Sequence, residues 1–227
     1  MNSFIIPPQK EKNGLYIACF VCNMIEENCY ILWDDSREAV IIDCGAYGEE
    51  EQAGITRFIQ KEKLNITHLY CTHGHFDHVF GNEYLYATYG IQPEMHHAEE
   101  ETYRSAAEMM RLFMHRDFHL SLPEPQNFFK GGDTLQAGGH HTLRVIETPG
   151  HTPGGVCLYC AEEGILFSGD SLFRFSIGRT DLPGGNLKSL TESLQKNVLT
   201  LPMETRVFPG HGESTVISDE RMGNPCL

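Results

Sequence analysis

Basic side chains are scarce in this sequence. Its 227 residues include 17 Lys and Arg against 31 Asp and Glu, which gives a formal net charge of −14. Nucleic-acid binding depends on Lys and Arg that neutralise phosphates, and the sequence contains no run of such residues. We therefore do not expect nucleic acid as a substrate or partner.

Long apolar runs are also missing. The segment Met1 to Lys10 has no apolar stretch of signal-peptide length, and no run of 18 apolar residues occurs in the sequence. We expect a cytoplasmic protein without a membrane partner. The composition, with 41% hydrophobic residues and no repeat or low-complexity segment, is typical of one globular domain.

The eight cysteines do not form an evident chelating motif. Cys19 and Cys22 are three residues apart in an apolar run, as are Cys157 and Cys160. Residues three apart in a strand point to opposite faces of the sheet, so neither pair makes a ready metal chelate. We expect reduced, buried thiols in a reducing compartment.

Strand-like and helix-like segments are mixed through both halves of the chain. The hydrophobic pattern predicts strands over residues 15–24, 28–33, 39–43, 66–71, 142–147, 155–159, 165–168 and 205–208. It predicts helices over residues 49–62, 80–89, 98–118 and 187–199. This mixture indicates a layered α/β protein.

The densest group of metal-ligand side chains lies in residues 71–78, which read CTHGHFDH. His73, His75, Asp77 and His78 fall within six residues, between a predicted strand and a predicted helix. Buried without a cation, these polar groups would lack partners. Imidazole nitrogens and carboxylate oxygens are ligands that zinc and similar divalent metals accept, so the segment predicts a metal site.

Three more ligand candidates follow predicted strands, each beside glycine. His151 lies in the run TPGHTPG, Asp170 in SGD and His211 in PGHG. Glycine lets the backbone approach a crowded centre and adopt positive φ angles. Recurrence of this pattern at several strand ends predicts that these side chains converge on the site in residues 71–78.

The motif order resembles the metallo-β-lactamase superfamily. Within it, the sequence is most similar to a short bacterial subgroup of hydrolases that resemble glyoxalase II, the hydroxyacylglutathione hydrolases. The likeness extends from Asn28-Cys29-Tyr30 to Asn224-Pro225. It implies a mixed α/β (α+β) fold, a four-layer αββα sandwich forming a single domain over residues 1–227. Only sixteen residues follow His211, so we expect no C-terminal glutathione-binding helical domain.

The resemblance also implies the ligand set. A first metal would be held by His73, His75 and His151, a second by Asp77, His78 and His211, and both by a bridging Asp170. Two divalent ions are expected, most simply Zn²⁺, with Fe and Mn also compatible with such ligands. Asp43 resembles the family's aspartate that orients the metal-binding loop, although a turn-forming or helix-capping role is an equal alternative.

The implied reaction is hydrolysis of a small-molecule acyl compound, such as a thioester or lactone. A hydroxide bridging two metals is a nucleophile near neutral pH, and Asp77 or Asp170 would pass a proton to the product. Arg179 has two interpretations: it grips a substrate carboxylate, or it pairs with Asp181 and braces its loop. The oligomeric state, the native metal and the substrate are not fixed by the sequence.

Other activities share the implied fold. The main alternative is a persulfide dioxygenase with one iron held by two His and one Asp. Flavodiiron reductases typically have Glu at the position of His75, and class B β-lactamases commonly have Cys at that of Asp170. Nucleases of the superfamily bring basic or additional modules, and non-enzymatic members usually lose ligands. The other histidines match no ligand position, and surface or helix-packing roles are expected for them: His68, His96, His97, His115, His119, His140 and His141.

Overall fold

Two β-sheets form the centre of the computed structural model, which describes residues 4–114 and 120–227. Sheet A has seven strands in sequence order: β1 (Phe4–Lys10), β2 (Tyr16–Cys22), β3 (Glu27–Trp33), β4 (Glu38–Ile42), β5 (Asn65–Tyr70), β6 (Pro93–His96) and β7 (Asn127–Phe129). Sheet B has six, in the spatial order β15 (Thr215–Val216), β14 (Arg206–Pro209), β11 (Ile165–Gly169), β10 (Val156–Cys160), β9 (Thr142–Glu147) and β8 (Thr134–Gln136). A small hairpin pairs β12 (Leu172–Phe173) with β13 (Ser176–Ile177).

Helices cover the outer faces of the sheets. The helices are α1 (Glu49–Glu62), α2 (Phe76–Val79), α3 (Asn82–Tyr89), α4 (Glu100–Met114), α5 (Leu187–Ser193) and α6 (Ile217–Gly223). A 3₁₀ turn over His97–Glu99 precedes α4, and a π turn over Leu194–Val198 continues α5. In the part of the chain that the structure describes, no helix is long and apolar enough to cross a membrane.

Alternating side chains of the strands build the layers. In β3, Ile31 packs in the cluster under helices α1, α3 and α4, whereas Leu32 packs between the sheets. In β11, Phe167 packs between the sheets, whereas Leu166 packs under α5 and α6. Because successive strand residues face opposite ways, each sheet is apolar on both faces and needs a partner layer on each. The predicted αββα sandwich is confirmed.

Most predicted elements are present, with shifted ends. The helix expected over 80–89 is α3 and begins at Asn82, because the N–H of Gly81 donates to the carbonyl of Cys44 (2.7 Å). A separate short helix, α2, precedes it inside the ligand motif. The helix expected over 98–118 begins with the 3₁₀ turn. Residues 115–119 lie outside the described residues; they include the end of this expected helix, His115 and His119. The short strands β6 and β8 were not predicted, because three or four residues carry little periodicity.

The cysteines follow the strand geometry. Cys19 faces the space between the sheets and Cys22 the helical side, so the pair does not chelate. All eight thiols are free, and seven are buried while Cys226 is exposed. Burial raises the pKa of Cys157 and of Cys160 to about 12, which keeps both protonated at neutral pH. The predicted burial of the thiols is confirmed for every cysteine except Cys226.

Thiol labelling should therefore distinguish Cys226 from the other cysteines. With a colorimetric disulfide reagent at neutral pH, we expect one fast-reacting thiol in the folded chain and all eight in denaturant. The Cys226→Ser variant should lose the fast phase. Fast labelling of two or more thiols in the folded wild type would contradict this burial pattern.

Candidate metal centre

Parallel strand pairs bring the sequence-predicted ligands to one edge of the sandwich. Strands β4 and β5 are parallel, so Asp43 and the segment 71–78, which follow them, lie at the same edge of sheet A. Strands β11 and β14 are parallel, so Asp170 and His211 share an edge of sheet B. The β9–β10 turn with His151 reaches the same edge, because β10 runs antiparallel to β11.

The first group consists of His73, His75 and His151. One ligand atom from each lies within 4.8 Å of the other two. His151 Nε2 is 2.9 Å from His75 Nδ1, and the ring of His73 is 4.9 Å from that of His151. All three side chains are buried. The three imidazoles therefore face a common point, as three nitrogen ligands of one cation do.

The second group consists of Asp77, His78 and His211. Asp77 Oδ2 lies 3.1 Å from His211 Nε2 and 3.4 Å from His78 Nε2. The ligand atoms of the three again fall within 4.8 Å of one another. The side chain of His211 is 25% exposed, whereas that of His78 is fully buried. Solvent thus reaches this group from the side of His211.

Asp170 lies between the two groups. Its Oδ2 is 3.6 Å from His151 Nε2 in the first group and 3.6 Å from His211 Nε2 in the second. Its Oδ1 is 3.3 Å from His78 Nε2. A single carboxylate thus touches ligands of both groups, which is the position that the sequence resemblance gave to a bridging ligand.

Asp43 supports the loop that carries the first ligands. Its Oδ1 accepts the backbone N–H of Thr72 (2.7 Å), and its Oδ2 accepts the Thr72 hydroxyl (2.7 Å) and the Nδ1–H of His78 (3.0 Å). Its φ of 51° is left-handed, a conformation that Asp tolerates better than most residues. These contacts match the loop-orienting interpretation of Asp43 and not that of a helix cap.

Oxygen acceptors orient four of the imidazole rings through hydrogen bonds at Nδ1, on the side away from the centre. When one ring nitrogen donates a hydrogen bond, the other keeps its lone pair for a metal. Each of these Nδ1–H groups has an acceptor: His73 to Thr72 Oγ1 (3.1 Å), His78 to Asp43 Oδ2 (3.0 Å), His151 to the Arg179 carbonyl (2.7 Å) and His211 to the Ile25 carbonyl (3.0 Å). The Nε2 atoms of these four rings are thereby directed into the centre.

The electrostatics of the residues fit divalent cations. Burial lowers the pKa of His73 well below its usual range and that of His75 to about 4, which keeps both imidazoles neutral. Burial opposes ionisation of Asp170, but the neighbouring His78 prevails and holds its pKa well below the usual range. Among the described residues, the buried Nε2 atoms of His73 and His75 have no hydrogen-bond partner. Burial opposes protonation of His78, but Asp170, Asp77 and Asp43 raise its pKa well above the usual range, so a cation that binds there would displace the proton of that ring. The unpaired nitrogens of His73 and His75 beside an ionised carboxylate fit such a cation.

Several supporting residues were not found by sequence reasoning. Glu27 begins β3, is fully buried and accepts the N–H of Gly45 (3.0 Å). Asn28 and Tyr30 both donate to the carbonyl of Pro209, the residue two before His211. A carboxyl or hydroxyl inside an otherwise apolar strand is the only signal that could have pointed to them.

The remaining predictions have mixed outcomes. Arg179 forms a two-pronged ion pair with Asp181, with both N···O distances 2.8 Å, so the structure has the bracing arrangement. The expectation of a surface or helix-packing role is wrong for His141, which is buried between Asp34 and Glu163 at 3.3 and 3.2 Å. The two flanking carboxylates satisfy both of its ring nitrogens, and this explains the burial.

An αββα sandwich with clustered His and Asp ligands at its strand ends defines a class of metal-dependent hydrolases. The model of the metallo-β-lactamase superfamily matches residues 25–211. The chain belongs to this superfamily.

Particular relatives cover almost the whole chain. Hydroxyacylglutathione hydrolase GloC of Haemophilus influenzae is 33% identical over 203 residues, which are 89% of this chain and 93% of the relative. The structure of the B3 metallo-β-lactamase BLEG-1 is similar with a TM-score of 0.83 at 33% identity, covering 92% of this chain and 98% of the other. That of TTHA1623 in a di-iron-bound form has a TM-score of 0.80 at 34% identity, covering 91% and 98%.

Proposed function

We propose that this protein is a dinuclear metal-dependent hydrolase of small thioesters, with hydroxyacylglutathione-like compounds as its substrate class. The position of Asp170 between the two ligand groups is the observation that carries the proposal, because one carboxylate contacting both groups fits a pair of adjacent metals. The similarity to a hydroxyacylglutathione hydrolase supports the thioester class. We place this activity in the cytoplasm.

The residues of the centre have separable roles in this proposal. His73, His75 and His151 would hold one metal, Asp77, His78 and His211 the other, and Asp170 both. Two divalent metals, if held by these residues, would supply an activated water and polarise the carbonyl of the substrate. Asp77 and Asp170 are ionised, since the pKa of each is lowered by neighbouring His78 against the effect of burial. As ionised groups, both carboxylates have a free oxygen lone pair, and either would take up the proton of the attacking water and return it to the leaving thiolate.

Substrate anchoring by Arg179 stays a prediction. The Arg179 guanidinium is 53% exposed and its partner Asp181 is 69% exposed. An exposed ion pair contributes little to stability, so a substrate carboxylate can replace Asp181 at little cost. The backbone carbonyl of Arg179 already accepts a hydrogen bond from His151, which places this backbone beside the first ligand group.

A single-iron persulfide dioxygenase is the second candidate. The di-iron form of TTHA1623 supports iron as a metal for this fold at 34% identity, although that protein binds two iron ions and not one. The candidate uses only two His and one Asp. It leaves Asp77, His78 and His211 without a chemical role, although their ligand atoms also lie within 4.8 Å of one another.

Metal analysis and hydrolysis on one sample separate these candidates. We expect natively purified protein to contain about two divalent metals per chain and to hydrolyse S-lactoylglutathione, with activity lost on chelation and restored by metal. Lactone and β-lactam substrates, assayed in parallel, test the other hydrolases of this fold. A single iron, no thioester turnover and oxygen uptake with a persulfide would overturn the proposal in favour of the dioxygenase.

A further inference from the structure

Glu99 is a fully buried carboxylate that the proposed mechanism does not use. It ends the 3₁₀ turn before α4 and has no exposed surface. Its Oε2 accepts the backbone N–H of Gly74 at 2.7 Å, and its Oε1 accepts that of Gly154 at 2.6 Å. In the described part of the chain, no ion pair joins Glu99 to a basic side chain. Burial raises the pKa of Glu99, and the nearby Thr152 hydroxyl and these two loop N–H groups oppose that rise.

The two glycines belong to the two loops that supply the first ligand group. Gly74 lies between His73 and His75, and Gly154 follows His151 by three residues. Both loops are packed tightly on the start of α4. A Cβ on Gly74 would lie 2.6 Å from the backbone nitrogen of Tyr103, and one on Gly154 would lie 2.9 Å from that of Glu99. One side chain thus joins loops that are far apart in the sequence.

A carboxylate suits this junction better than an amide. It offers two acceptor oxygens, one for each loop, and its charge strengthens both hydrogen bonds. The amide of Gln has one acceptor oxygen, so its NH₂ would face the N–H of one loop, donor against donor. The Glu99→Gln change therefore releases one loop with almost no change in side-chain size.

The second group is held by other contacts. Asp43 fixes His78, and the carbonyl of Ile25 fixes His211. We propose that Glu99 is a positioning residue that sets the metal affinity of the first group, His73, His75 and His151, and leaves that of the second unchanged. This inference rests on the proposed dinuclear function.

Titration of the metal-free protein with Zn²⁺ against a chelator of known affinity tests the assignment. The wild type should bind two ions. Glu99→Gln should weaken one of them by about 10- to 100-fold, the usual effect of losing a residue that supports metal ligands, and leave the other as in the wild type. The loss should persist in a His211→Ala background, where the first group alone is intact, and vanish in a His151→Ala background.

Glu163→Gln is the matched control. Glu163 is also buried and accepts backbone N–H groups, those of Asn13 and Leu15, without contact to the ligand loops. The Glu163→Gln variant should bind both ions with wild-type affinity. Should Glu99→Gln fail to fold, Glu99→Asp keeps the charge but is too short for both loops, and it should weaken the same ion.

The outcomes separate this inference from the proposed function. Unchanged Zn²⁺ affinities in both Glu99 variants, or an equal loss of Zn²⁺ affinity in Glu163→Gln, would overturn the role of Glu99. Either result would leave the proposed function standing. A folded wild type that binds fewer than two ions would overturn the dinuclear centre itself, and this inference with it.

Discussion

Replacement of Asp170 by Asn is expected to lower thioester hydrolysis by about 10²–10⁴-fold, the range typical for loss of a proton-transferring group, and to reduce metal binding at both ligand groups. Asn keeps the shape of Asp but removes the charge. Asp170 Oδ2 faces His151 Nε2 and His211 Nε2 at equal distances of 3.6 Å, so both groups lose the same carboxylate. Steady-state kinetics and elemental analysis of the same preparation measure the two effects.

The control for this prediction is Asp219→Asn. Asp219 is an exposed aspartate in α6 and belongs to neither ligand group. The Asp219→Asn variant should keep full activity and full metal content. If Asp170→Asn retained two metals and hydrolysis within a few-fold of the wild type, Asp170 would not be the shared ligand.

The ligand set could be predicted because its information is local. Each ligand sits in a short motif beside glycine at a strand end, and parallel strands then place those ends at one edge. The family resemblance assigned the ligands to two groups, and the ligand atoms of His73, His75 and His151 and of Asp77, His78 and His211 do cluster in the structure. The sandwich could be predicted for the same reason, since alternating apolar residues reveal strands one by one.

The supporting contacts could not be predicted, because they join residues that are distant in the sequence. Glu99 reaches Gly74 and Gly154 across 25 and 55 positions, and Glu163 reaches Asn13 across 150. Nothing local distinguishes such a Glu from one on the surface. Only the folded chain reveals which acidic residues are inside.

The many acidic residues of the chain also have a structural role. The composition predicted a surface that repels nucleic acid, but several of the acids are buried and accept backbone N–H groups of loops. Glu99 joins two ligand loops, Glu163 holds Asn13 and Leu15, and Glu220 holds Phe175 of the β12–β13 turn. A buried carboxylate satisfies donors that irregular backbone leaves unpaired. Acids thus stabilise irregular loops, both at the site and away from it, as well as supplying its candidate metal ligands.

Phe167 connects the core between the sheets to the ligand edge. It is fully buried in β11, three residues before Asp170. Its ring lies 5.1 Å from that of Tyr30 in sheet A and 5.5 Å from that of Phe208 in β14. The hydroxyl of Tyr30 also donates to the carbonyl of Pro209 (2.7 Å), so this aromatic group packs the sheets together directly beneath the ligands.

Phe167→Ala should lower the free energy of unfolding by about 3–5 kcal/mol, because it removes a fully buried ring and leaves a cavity between two sheets. Urea denaturation of the metal-free protein measures this loss without a contribution from bound metal. Phe128→Ala is the matched control: that ring is 41% exposed on β7, so the loss should be no more than about 1 kcal/mol. Similar losses in the two variants would contradict the central position of Phe167. If the core between the sheets sets the positions of the strand ends, Phe167→Ala should also weaken the Zn²⁺ affinity of both ligand groups.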